Sequence, residues 1–120
     1  MSVQHFRELI AWQKAMDLVV EVYRLTESFP KSEVFSLTNQ LRRAAVSIPC
    51  NIAEGQGRST TKDFVHFLHI SKGSLQEVET QIELGLRLKY VSDAECQNVA
   101  SRTAEVGRIL NGLIRSLSGN

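Results

Sequence analysis

Residues 40–58 read QLRRAAVSIPCNIAEGQGR. With Leu37 just before it, Leu41, Ala44 or Ala45, Ile48 and Ile52 recur at the three-and-four spacing that lines one face of a helix. Pro49 falls inside that pattern. It removes a backbone donor and crowds the carbonyl of Ala45, at a cost of about 3 kcal/mol in a helix interior. Because the apolar period continues to Ile52, the segment predicts a helix kinked at Pro49 rather than two helices. Gly55 and Gly57 are expected to end it. Asn51 is placed to satisfy the carbonyl that Pro49 leaves unpaired, or to cap a locally opened turn.

The same helical period extends in both directions. A first helix is expected from about Phe6 or Arg7 to Glu27, with Leu9, Trp12, Met16, Val19 and Tyr23 on one face. Ile10, Leu18, Val22 and Leu25 widen that stripe. Pro30 breaks it, and Ser32 is the expected N-cap of the second helix. Thr60 with Asp63 has capping-box spacing before a third helix. Phe64, Leu68, Ser71, Leu75, Val78 and Ile82 form its seam, and Phe67, Ile70, Leu84 and Leu88 a second stripe. That helix ends near Lys89 and Tyr90. Ser92 with Glu95 is a capping box for a fourth helix, whose seam is Cys96, Val99, Thr103, Val106, Leu110, Leu113 and Leu117. Residues 118–120 read as a frayed end.

The expected architecture is all-α: an antiparallel up-down-up-down four-helix bundle forming a single domain over residues 1–120. The apolar surplus on the first and third helices points either to a self-association surface or to a wider core.

The totals narrow the function. Hydrophobic residues make up 42% of the 120 and charged residues 22%, which suits a folded globular chain. With 14 basic and 13 acidic residues the formal charge is +1, so nucleic-acid binding requires a local patch or oligomerisation. Cys50 and Cys96 have no CxxC spacing and read as small buried hydrophobes in a reducing cytosol, with neither a disulfide nor a zinc site. The opening MSVQHFRELIAWQ lacks the pattern of a signal peptide, and no apolar run is long enough for a membrane span. The expected setting is the cytoplasm.

The run RRAAVSIPxNIAEG, together with Leu9, Trp12, Gln13, Ala15 and Tyr23, resembles the four-helix-bundle proteins encoded in intervening sequences of bacterial 23S ribosomal RNA genes. Phe29-Pro30 followed by Glu33 and Leu37, then Phe64, Phe67, Leu68, Gly73-Ser74-Leu75, Glu77, Glu79-Thr80 and Tyr90, extend the resemblance over nearly the whole chain. Cys50 stands where the pattern usually has Ala or Ser. The accessory variability proteins of diversity-generating retroelements are related; they are strongly basic, and this chain departs from them in its near-neutral charge. The resemblance implies a bundle that assembles into a ring, typically a pentamer. It implies no enzymatic activity and no cofactor. It also implies partners that are structured RNA or an RNA-handling protein.

Arg42 and Arg43, adjacent and so about 100° apart on a helix, are candidate RNA-phosphate contacts with Arg58 and Lys62. The competing reading is an Arg–Glu network with Glu54, Glu77 and Glu79 that pins the second helix to its neighbours. Pro49, Asn51, Glu54 and Gly55 are read as structural. Ser47 is a packing residue, since no histidine in its segment serves as a base. Gly55-Gln56-Gly57 is no phosphate loop, because neither a preceding strand nor a following Gly-Lys-Ser/Thr is present. Asp63, His66 and His69 make half of a di-metal bundle site whose other half is missing, so a metal-dependent enzyme ranks below a non-catalytic scaffold and a pure protein-binding adaptor.

Overall fold

The computed structural model describes residues 5–119. Four α-helices carry the fold: α1 Ile10–Thr26, α2 Leu37–Gln56, α3 Thr61–Arg87 and α4 Asp93–Leu117. Short 3-10 turns, Phe6–Glu8 and Lys31–Glu33, precede α1 and α2. No strand occurs among the described residues. The sequence readings of the N-terminus and of the frayed C-terminus fall partly on residues 1–4 and 120, outside the described residues.

Each helix packs on the next, and α4 packs back on α1, which is the neighbour order of a four-helix bundle. The α2–α3 pairing is the most extensive. The bundle measures 48 × 24 × 19 Å, as expected when 27-residue α3, roughly 40 Å long, sets the long dimension. The 27–36 and 88–92 connections meet at one end. There the Phe29 and Tyr90 rings lie 5.3 Å apart, and Ser28 Oγ donates to the Tyr90 carbonyl at 3.3 Å.

The apolar seams of three helices lie where the period places them. Leu41, Ala44, Ala45, Ile48 and Ile52 of α2, Leu68, Ser71, Leu75, Val78 and Ile82 of α3, and Val99, Thr103, Val106 and Leu110 of α4 are all buried. The first helix differs. Its buried face is Ala11, Ala15, Leu18, Val22 and Leu25, while Met16 and Tyr23 are exposed. Leu9, Trp12 and Val19 of the expected stripe pack against the edge of the core. Helix α1 also begins later than expected, at Ile10 after the 3-10 turn.

Ser32 does not cap α2. That helix starts five residues later, and Ser36 at its N-cap makes no side-chain bond. Glu33 does the work instead: Oε1 accepts from the Leu37 amide at 3.3 Å, and Oε2 accepts from the Tyr90 hydroxyl at 2.8 Å. A carboxylate at a helix N-terminus also opposes the positive end of the helix dipole. The Ser92 box holds as read, and at Thr60 only the N-cap half of the box forms. Thr60 Oγ1 accepts from the Asp63 amide, and Ser92 and Glu95 form a reciprocal capping box.

Candidate nucleic-acid and partner interface

Helix α2 runs unbroken through Pro49, which is itself buried. Around it α2 and α3 are joined by small polar groups. Ser71 Oγ, fully buried, donates to the Ile48 carbonyl at 2.9 Å. Ser47 Oγ and Ser74 Oγ lie 2.8 Å apart. Asn51 Nδ2 donates to the Ser47 carbonyl and to Ser47 Oγ, each at 2.9 Å. Asn51 therefore serves the carbonyl one turn back from itself, not that of Ala45. Ser47 has no imidazole or carboxylate partner among the described residues, so nothing activates it as a nucleophile.

Gly55 lies in the last turn of α2 rather than beyond it, and the helix ends on Gly57 in ordinary right-handed geometry. The glycine at 55 answers a packing demand. A Cβ there would lie 2.8 Å from Phe67 Cβ and 3.0 Å from Phe64 Cδ1. This contact draws α2 against the start of α3.

The four candidate cations do not form one cluster. Arg42 turns inward to α1: Nε donates to Thr26 Oγ1 at 2.8 Å and Nη2 to the Tyr23 carbonyl at 3.4 Å. Its guanidinium carbon stands 4.5 Å over the Tyr23 ring. Arg42 thus caps the C-terminal carbonyl end of α1, where a cation is favoured. Arg58 pairs with Glu54 at 2.9 Å and covers the Phe67 ring at 4.7 Å. Arg43 and Lys62 are exposed and make no ion pair or hydrogen bond among the described residues. By the helix rise, Arg58 lies roughly 20 Å beyond Arg43. The expected Arg–Glu network is reduced to Arg58–Glu54. Glu77 and Glu79 form no ion pair with an arginine among the described residues, and Arg42 is turned to α1.

Arg43 stands between two surface grooves. One, of about 500 Å³, lies between α1 and α2 and is lined by Tyr23, Val34, Thr38, Arg42, Val46 and Ser47 among others. The second, of about 430 Å³, lies between α2 and α3 and includes Ser74, Glu77 and Gln81. Arg43, Asn39 and Ser47 border both.

Asp63, His66 and His69 do not assemble a metal site. Asp63 sits in the first turn of α3, His66 lies edge-on to Phe67, and no three His, Cys, Asp or Glu side chains among the described residues are grouped to hold an ion. The cysteines are both free, but Cys50 is exposed, contrary to its reading as buried. Cys96 is partly buried; desolvation, then the charges of Glu83 and Asp93, push its thiol pKa up. No helix among the described residues is long and apolar enough to cross a membrane.

A sequence model of the 23S rRNA-intervening sequence proteins matches residues 7–112, which takes in all of α1, α2 and α3 and most of α4. The chain belongs to that family. A crystal structure of a protein of unknown function from the S23 ribosomal protein family of Bacteroides thetaiotaomicron VPI-5482 has the same fold, with a TM-score of 0.81. It is 22% identical, and the alignment covers 88% of this chain and 96% of that one. A search of curated proteins found no match. Within this 23S rRNA-intervening sequence protein, RRAAVSIPCNIAEG is the segment that builds the α2–α3 contact. Of its two arginines, Arg42 is bonded to α1 and Arg43 is exposed with no ion pair among the described residues.

Proposed function

We propose that this protein is a non-catalytic, homo-oligomeric helical scaffold, a pentameric ring by its family resemblance, that associates with structured RNA in the cytoplasm. The observation that carries the RNA reading is Arg43: exposed, unpaired among the described residues, and flanked by two grooves. One arginine per chain is a weak phosphate contact. Repeated around a ring, it becomes multivalent, and avidity rises without any new kind of contact. Lys62, also exposed and without an ion pair among the described residues, is the other candidate contact. A formal charge of +1 is compatible with this reading, because the contact is local.

The test is a titration of the protein against a labelled structured rRNA fragment at several salt concentrations. The logarithm of the binding constant should fall linearly with the logarithm of salt. Arg43→Ala should lower affinity and flatten that slope by about one for each copy engaged. Absence of binding at low salt overturns the RNA reading.

A second reading is a protein-binding adaptor, including one for an RNA-handling protein. The apolar lining of the α1–α2 groove favours it. It predicts capture of a partner that is insensitive to moderate salt.

A further inference from the structure

From residue 97 to its end at Leu117, α4 carries three arginines, Arg102, Arg108 and Arg115, and one carboxylate, Glu105. Lys14 of α1 meets that carboxylate at 3.7 Å. The three arginines make no ion pair among the described residues. Val99, Thr103, Val106 and Leu110 face the core, so the helical period puts Arg108 and Arg115 together on the outward side. Both are exposed, and Arg102 stands half-buried at the flank. Arg102 and Arg108 line a groove of about 370 Å³ with Asn98, Ser101 and Glu105. Arg115 bends back toward them: its Nη2 lies 4.0 Å from where a Cβ on Gly112 would stand. By the helix rise the three arginines span roughly 20 Å.

We propose that the outward face of α4 is a phosphate-binding surface, on which Arg102, Arg108 and Arg115 hold the backbone of a structured RNA independently of its base sequence. This rests on the RNA reading and assigns it a second face. Helix α4 packs on α1 and α3 and not on α2, so the row is separate from the surface that Arg43 offers. Charge complementarity names the occupant. Guanidinium groups, the Asn98 amide and the Ser101 hydroxyl are the donors that phosphate oxygens accept from. Arg102 is half-buried with its Nε unpartnered, and an anion in the groove offsets the cost of that unpaired charge. A protein partner is the poorer fit. Protein interfaces are anchored by apolar and aromatic residues at their centre. The exposed large hydrophobic residues, such as Met16, Phe35, Val46 and Ile70, lie on α1, α2, α3 and the connections, and none of those described is on α4. Helix α4 also contains no Phe, Tyr, Trp or His. It therefore offers no ring on which an unstacked base could lie, and the contact is to the backbone rather than to bases.

The experiment titrates the full chain against a labelled structured rRNA fragment, and against a second RNA of the same secondary structure with its base pairs exchanged, at several salt concentrations. Circular dichroism confirms that each variant is folded, as expected for exposed side chains without partners. R108A combined with R115A should lower affinity for both RNAs alike and flatten the log–log salt slope by about two for each copy engaged. E105Q, which removes the one carboxylate in the groove, should raise affinity for both. R87A removes the same charge from a side chain already paired with Glu83 on α3 and should leave binding unchanged. RNA binding whose slope the double variant leaves unchanged, or that R87A weakens as much, overturns this face while leaving the RNA reading intact. A marked preference between the two RNAs overturns the backbone assignment. Absence of binding by the wild type at low salt overturns both readings.

Discussion

Arg42 Nε donates to Thr26 Oγ1 at 2.8 Å, and the same hydroxyl donates to the Val22 carbonyl at 2.9 Å. One buried threonine thereby ties the end of α1 to the second turn of α2. Arg42→Ala should cost about 1–2 kcal/mol, from the lost charged hydrogen bond and the lost contact with Tyr23. Thr26→Val should cost a similar amount by leaving Arg42 Nε without its acceptor. In a denaturant double-mutant cycle the two should couple by at least about 0.5 kcal/mol. Independent effects would show that the bond does not hold the helices together. Arg43→Ala, by contrast, should leave stability within about 0.5 kcal/mol.

Gly55→Ala should destabilise the fold by about 1–3 kcal/mol, since its Cβ meets Phe67 Cβ at 2.8 Å and Phe64 at 3.0 Å. Helix propensity alone predicts a gain of up to about 1 kcal/mol. Thermal denaturation separates the two by sign. Gly57→Ala meets nothing closer than 3.6 Å at a right-handed φ and should be nearly neutral.

Lys89 has φ +64° and ends α3 in a Schellman arrangement, with the Tyr90 amide bonded to the Gly85 carbonyl at 2.9 Å and its own amide to Leu86 at 3.0 Å. A side chain in that left-handed position costs about 1 kcal/mol. Lys89→Gly should raise stability by roughly 0.5–1 kcal/mol, read as an increase of a few degrees in Tm. A lower Tm would mean that the lysine side chain itself stabilises the turn.

The Tyr90 hydroxyl is held above its ordinary pKa of 10, chiefly by donating to Glu33, then by desolvation and by the Glu33 charge. In the folded state the proton is bound more tightly than in the unfolded state. The contribution is therefore complete below about pH 10 and is lost as pH rises through the raised value. Melting temperature should fall above pH 10, and Tyr90→Phe should flatten that part of the profile. An unchanged alkaline profile in the variant would assign the loss to other groups.

The sequence determined the helices and most of their buried faces, because a seam such as Val99, Thr103, Val106 and Leu110 follows from the 3.6-residue period alone. It determined the caps at Thr60 and Ser92, where donor and acceptor are three residues apart. It also carried the family, through a run of residues in fixed order. It did not show which side of α1 faces in. The face of α1 turned to α2 and α4 carries Ala11 and Ala15, while Met16 and Tyr23 lie exposed. Nor did it reveal Glu33 as the cap of α2, since the Tyr90 hydroxyl that shares that carboxylate arrives from 57 residues away. The partners of Arg42 and Arg43 were likewise decided by the tertiary structure. On the chain the two arginines are neighbours of the same type. Only the packing of α1 against α2 gives one an acceptor and leaves the other in solvent.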